Sequence, residues 1–255
     1  MQGIVTKVPG ASFRSGNIVI PPLPVLSVPT TLWAYLGESL ELSQNMVPNS
    51  PPIVAVGTPA FPPTRNFVSV GPTTSTIHGA GYLDTGVRDD SKSFTIIATC
   101  RLNGISGSSA PLGNNDPTGV GSGFGISWQL QSASPAGCAC AINGPAINLK
   151  LPAASVGEQT WFKIYLASYD DPTFTMTIYN LTDNTSIQQI GSSFTRGQST
   201  QGTFWCGYNQ RLTTGIANPS DVAFIGKISG SVTAAQAQAI GANIRATHAL
   251  TGLMV

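Results

Sequence analysis

A period of two governs most of this chain. From Phe67 onward apolar and polar residues alternate in short runs, and each run is closed by a cluster of Gly, Pro, Asn or Asp. In FTIIATCRL, Phe94, Ile96, Ala98, Cys100 and Leu102 fall on one side of an extended backbone, while Thr95, Thr99 and Arg101 fall on the other. That is the pattern of a strand with one buried face. GFGISWQL repeats it with Phe124, Ile126, Trp128 and Leu130, and WFKIYLAS, FTMTIYNL, GTFWCGYN and DVAFIGKISGSV continue the series. The breaks, among them GNNDPTG, SYDDPT, NLTDNTS and NQRLTTG, have the composition of turns. Many short strands with almost no helical periodicity between them predict an all-β fold, two antiparallel sheets in a sandwich or jelly roll. Its expected core is Phe94, Ile96, Phe124, Ile126, Phe174, Met176, Ile178, Phe224 and Ile228.

One segment departs from the alternation. In TAAQAQAIGANIRATHAL, Thr233 is placed to cap a helix, Gln236 completes a capping box, and Val232 can staple onto Ala237. Ala237, Ile240 and Ile244 form a narrow stripe, which suits a helix lying on the outside of the sandwich. His248, near its end, is expected to interact favourably with the helix C-terminus.

The other exception is at the start. Residues 1 to about 30 contain Pro9, Pro21, Pro22, Pro24 and Pro29, so the apolar stretch IVIPPLPVLSVP runs extended and cannot be an interior strand. The chain therefore divides into an N-terminal arm, 1–30, and a sandwich domain, 31–255. Val19, Ile20, Leu23 and Val25 of the arm need an extended groove to be buried. If that groove lies on a neighbouring subunit the arm is an attachment device and the protein a homo-oligomer; if it lies on the same domain the arm is a strap.

Charge excludes further classes. The chain has 12 Lys and Arg against 11 Asp and Glu, and charged residues make up 9% of it, against about 25% in ordinary soluble proteins. No surface can then be basic enough to neutralise phosphates, and nucleic acid is not an expected partner. No apolar run is long enough to cross a bilayer, and the opening MQGIVTK lacks the apolar core of a signal peptide. The expectation is a soluble protein made without a classical export signal and without membrane insertion.

Cys138 and Cys140 are too tightly spaced for a zinc knuckle, and His78 and His248 lie far from them, so no metal site is expected. Cys100 and Cys206 sit inside apolar runs as reduced thiols, with no disulfide expected between them. GSGFG and GNNDPTGVGSG lack the strand, helix and following Lys of a phosphate-binding loop, and no cofactor is expected. His78 and His248 are the available bases for nucleophilic catalysis, and both read as structural.

The order of these segments resembles the laminin-G-like, concanavalin A-like jelly-roll domains. The resemblance rests on SFTIIATCRL, GFGISWQL, the hairpin TWFKIYLASYDDPTFTMTIYNL that follows Trp161, and a last strand running through Val232 and Thr233 into a short helix. LWAYLGESLELSQNMVPNSPPIVAVGTP and GYLDTGV look like the opening of such domains in bacteriophage tail and other virion proteins. Two departures bear on what the resemblance implies. Lectins of this fold hold calcium with clustered acids, whereas Asp84, Asp116, Asp170, Asp171, Asp183 and Asp221 are dispersed one or two to a loop. Hydrolases of this fold pair glutamates on one strand about 5 Å apart, whereas Glu38, Glu41 and Glu158 lie in no alternating run.

Exposed aromatic rings remain as a handle, since sugars stack on rings with amides and carboxylates at the rim. Trp205, Tyr208 and Asn209, beside the loop NQRLTTG, form the candidate glycan-binding group; Trp33, Trp128 and Trp161 read as packing residues. The expected function is a non-enzymatic structural component of a bacteriophage virion, in its tail, baseplate, fibre or capsid decoration. It would be made in the host cytoplasm and attached through its arm to other virion proteins. The alternative is a lectin for host-surface glycan, with a glycan-degrading enzyme behind it.

Overall fold

A computed structural model describes residues 28–63, 65–71, 80–88, 91–102, 107–114, 124–131, 134–142, 147–152, 162–191, 202–207 and 220–255. For 80, 102, 107–109, 124–131, 134–142, 147–148, 150 and 152 it describes the backbone alone. The strands are β1 (Thr30–Tyr35), β2 (Val54–Thr58), β3 (Val68–Val70), β4 (Ala80–Arg88), β5 (Phe94–Leu102), β6 (Gly107–Asn114) and β7 (Phe124–Gln131). They continue as β8 (Ser134–Ile142), β9 (Ile147–Pro152), β10 (Lys163–Asp170), β11 (Thr175–Asn180), β12 (Thr185–Ile190), β13 (Thr203–Cys206) and β14 (Ser220–Ile228), and α1 (Ala234–Leu250) follows. The first sheet has the order β1-β14-β5-β10-β11-β12, with β3 also beside β14, and the second has the order β2-β4-β13-β6-β7-β8-β9. Every pairing is antiparallel. The fold is thus the all-β, two-sheet sandwich with a C-terminal helix that the alternation predicts.

Between the sheets lie Phe94, Ile96, Ala98 and Cys100 of β5 with Met176 and Ile178 of β11, facing Leu83, Leu112, Phe204 and Cys206 of the second sheet. A second apolar layer lies outside the first sheet, where Trp33, Ile97, Ile164, Leu166 and Phe224 pack against Ala237, Ile240 and Ile244 of α1. The helix begins as its sequence predicts: the Thr233 side chain accepts from the Gln236 amide, and the Gln236 side chain accepts from the Thr233 amide. Gly241 lets the helix come close, because a Cβ there would meet the Leu181 side chain at 3.0 Å.

This second layer corrects the one-sided reading of β5. Thr95 and Thr99 are fully buried, since α1 and the turn before it cover the face that alternation assigns to water. Thr95 donates to the carbonyl of Gly230 (2.8 Å), and Thr99 contacts His248 Nε2 at 3.2 Å. The phase of β14 also shifts. An irregularity between Val222 and Phe224 leaves Val222 and Ile225 in the inter-sheet core, while Phe224 and Ile228 are buried in the helix layer. Phe174 leaves the expected core altogether, half-buried at the end of the β10–β11 turn with φ +51°. The hairpin reverses there, and its amide donates to the Asp171 carbonyl at 3.2 Å. Phe124 and Ile126 lie outside the described side chains, although the β6–β7 register sets Ile126 opposite the core residue Leu112.

His248 is corrected as well. It is 2% exposed, set edge-on to the Tyr35 ring, and burial pushes its pKa down to about 4 from the ordinary 6.5. It is therefore neutral near neutral pH, and no ionic interaction with the helix end holds it.

At the far end of β5 a charge is locked in place. The Arg101 guanidinium contacts Asp221 at 2.7 Å, and Asp221, 2% exposed, also accepts from the Ser69 hydroxyl. Phe67 and Phe162 flank the guanidinium, with ring centres 5.1 and 5.0 Å away. Register fixes this cluster, because Asp221 is paired with Arg101 on one side and Ser69 on the other.

Two outcomes follow from these buried groups. Arg101→Ala leaves the Asp221 carboxylate buried without its cation and should lower the unfolding free energy by about 3 kcal/mol in urea titrations. For His248, the unfolded chain takes up a proton below the ordinary pKa while the folded chain does not, so stability is full above about pH 6.5 and falls toward about pH 4. From about pH 7 to about pH 5 the loss due to this group should be about 2 kcal/mol, and His248→Gln should remove that part of the slope.

Candidate functional site

The outer face of the second sheet carries the candidate site. On β4, Gly81, Leu83, Thr85 and Val87 are buried while Tyr82, Asp84 and Gly86 are half-exposed, so Tyr82 and Asp84 point outward together. On β13, Phe204 and Cys206 are buried and Trp205 is half-exposed. Register brings these strands into one cross-strand row, Val54–Asp84–Trp205–Gly113, with Val56 opposite Tyr82 in the adjoining row. Beyond Gly113 the row continues through Gly125 and Ala141 to Asn148, so nothing larger than alanine follows Trp205 across three strands.

Within this face the Trp205 and Tyr82 rings are stacked, with centroids 4.3 Å apart and planes inclined by 24°. The indole N–H donates to the Thr203 hydroxyl at 3.0 Å, which fixes the rotation of the ring. Val54 and Val56 flank it, 51% and 38% exposed. Asp84 supplies a carboxylate, one oxygen of which accepts the Gly86 amide at 2.9 Å. The arrangement is a rigid aromatic shelf with apolar neighbours on one side and a carboxylate at its rim. Such a shelf can take the C–H face of a sugar ring while its edge accepts hydroxyl protons.

Of the candidate glycan-binding group, Trp205 is placed on this shelf, and Tyr208 and Asn209 lie outside the described residues. The chain leaves β13 toward them through Gly207, whose φ is +95° and where a Cβ would lie 2.2 Å from Val70. Tyr82, Val54 and Val56 do not figure in the sequence reading. A signal for Tyr82 was present, since Tyr82 and Asp84 are two apart in GYLDTGV and share a face by alternation. The arm residues Val19, Ile20, Leu23 and Val25, together with His78 and Trp161, lie outside the described residues, as does the side chain of Trp128. Trp33 is 1% exposed, in edge contact with Phe224 at 4.8 Å.

Asp116 and Glu158 lie outside the described residues, and the described dispersed aspartates have separate partners. Asp183 pairs with Lys163 at 2.7 Å, Asp170 accepts from Ser231 and Thr173, and Asp221 holds Arg101. Among the described residues no three His, Cys, Asp or Glu side chains converge as a metal site would require. Glu38 and Glu41 lie in the connection between β1 and β2. Cys100 and Cys206 are buried free thiols, and burial, reinforced by Cys100, raises the Cys206 pKa. No described helix is long and apolar enough to cross a membrane.

No family model matches the chain, and no curated protein matches it in sequence. Its likeness is to solved structures. The binding domain of botulinum neurotoxin DC in complex with SialylT aligns over 84% of this chain and 51% of its own, with a TM-score of 0.59 and 9% identity. The botulinum neurotoxin serotype D ligand-binding domain in complex with N-acetylneuraminic acid aligns over 84% and 50%, with a TM-score of 0.60 and 6% identity. The receptor-binding domain of botulinum neurotoxin D gives 84% and 52%, with a TM-score of 0.57 and 5% identity. At such identities the likeness is one of fold, and this chain spans about half the length of those domains. The class so defined is a jelly-roll β-sandwich.

Proposed function

We propose that this chain is a non-enzymatic, lectin-like binding protein that holds glycan on the Tyr82–Trp205 shelf. The observation that carries the reading is the stacked, half-exposed ring pair at 4.3 Å, placed in one cross-strand row with the Asp84 carboxylate and the side-chain-free Gly113. The fold likeness to domains described with sialic acid and gangliosides supports the reading, with the binding itself belonging to domains twice as long. A binding rather than hydrolytic role is supported by the position of Glu38 and Glu41, the glutamates among the described residues, in the connection between β1 and β2 and not together on one strand. The test is a glycan array probed with the intact protein and with Trp205→Ala. The expected result is selective binding that the substitution weakens at least about tenfold, the usual effect of removing an aromatic anchor. Absence of binding to any glycan, or equal binding by both proteins, would overturn the reading.

A second reading concerns the setting: a component of a bacteriophage particle, made in the host cytoplasm and joined through its arm to copies of itself and to other virion proteins. It is favoured by the proline-rich apolar arm and by where that arm meets the domain. Val28 packs against Gly230, and the Pro29 carbonyl accepts the Ser229 amide at 2.9 Å, so the preceding residues are delivered from a fixed point beside the start of α1. A chain beginning at Val28 should keep its β-sheet circular dichroism and melting temperature while losing self-association or incorporation into particles. Unfolding of the shortened chain as a monomer would make the arm a strap and remove the attachment role.

A further inference from the structure

The outer face of the first sheet is covered by α1 over β5 and β14, but not toward β12. There a groove of about 440 Å³ opens between β10–β12 and the residues leading into the helix. Thr175, Thr177 and Tyr179 of β11 line it together with Asp170, Thr173 and Ser231. Among the described residues, Val232 and Ala234 are the apolar side chains of the lining, and no Lys, Arg or His contributes to it.

Counting protons shows what this groove offers. Thr173 donates its hydroxyl proton to one Asp170 oxygen (2.6 Å), and Ser231 donates its own to the other (2.8 Å). Thr175 donates to the Thr173 carbonyl at 3.2 Å. A hydroxyl has one proton and two acceptor sites, so each of these three oxygens keeps accepting capacity with its proton already committed. The Asp170 carboxylate accepts further bonds as well. Thr177 runs the other way: its oxygen receives the Gln188 amide at 3.1 Å, which leaves its proton to be given. The Tyr179 ring adds an apolar surface. Ser168 and Thr233 behave like Thr177, since they accept the Val232 and Gln236 amides and keep their protons to give, and Gln188 keeps a second amide proton. The groove thus offers both acceptors and neutral donors, and carries the negative charge of Asp170 without a lining cation among the described residues.

We infer that this groove is a second ligand site, on the outer face opposite the Tyr82–Trp205 shelf, for a ligand rich in hydroxyl groups, which both donate and accept, and lacking negative charge: a neutral or amino-substituted sugar residue. An acidic sugar would set its carboxylate against the Asp170 carboxylate with no lining cation to offset the repulsion, and is rejected. The inference stands on the groove alone and does not require the shelf to bind anything. With both sites, one chain would bridge two glycans.

Chemical-shift mapping of the full chain tests this. The probes are glucose, galactose, N-acetylglucosamine and glucosamine, with N-acetylneuraminic acid as the anionic comparison. At least one of the first four should give saturable shifts at Thr175 and Thr177, and N-acetylneuraminic acid should give none there. Thr177→Leu and, separately, Gln188→Leu alter a half-buried and an exposed floor position and should weaken that binding at least about tenfold with the melting temperature kept. Trp205→Ala should leave the groove shifts unchanged, so a failure of the shelf and a failure of the groove give different results. The inference is overturned if none of the four sugars shifts the groove, if N-acetylneuraminic acid binds there equally well, or if both floor variants bind like the parent.

Discussion

The pairing of β5 with β14 is the constraint on which the remaining structure depends. Eight register pairs join them from Ser220↔Leu102 to Ile228↔Thr95, and both strands are buried on both faces. Backbone amides sealed in this way have no water to fall back on, so the ladder must close completely or the layers above and below it separate. Everything at the two ends of the chain is tied to that ladder. β1 and β3 share the free edge of β14, pairing with its later and earlier residues respectively, and α1 follows directly from its end. The Arg101–Asp221–Ser69 cluster lies across the same three strands, so a slip of register would strand a buried carboxylate without its cation.

Because α1 is spent on the first sheet, no described helix covers the outer face of the second. That asymmetry gives the molecule two different surfaces. On the second sheet, rings and valines stand beside a row of glycine and alanine, which is an apolar shelf with room next to it. On the first sheet, beyond the reach of the helix, threonine hydroxyls and one carboxylate form a polar groove.

Much of the fold was legible in residue order because side-chain alternation is a local property of extended backbone. β5, β10, β11 and β14 fall within the alternating runs that mark them, and the helix cap at Thr233 with Gln236 is closed by residues only three apart. Alternation could not say what covers the second face of a strand. Thr95 and Thr99 look like solvent positions, and only the docking of α1 from a distant part of the chain buries them. Phase was equally out of reach in β14, where one irregularity between Val222 and Phe224 exchanges the layer each later residue enters. Phe174 shows the same limit at a turn, where the geometry of reversal overrides the hydrophobic parity of the residue.

Of the candidate site, the sequence by itself determined one member, Trp205, and the outward parity of Tyr82 and Asp84 along their own strand. It also determined the absence of a large charge of either sign, since composition is fixed before folding. Tertiary structure alone decided that Trp205 and Tyr82 meet, because β4 and β13 are separated by more than a hundred residues and their diagonal contact depends on sheet order. It likewise decided the polar groove, where β10, β11 and the residues before α1 bring their hydroxyls together. His248 makes the same division in one residue: its place at the end of a helix is written in the chain, and its neutrality follows from the strand and ring that bury it.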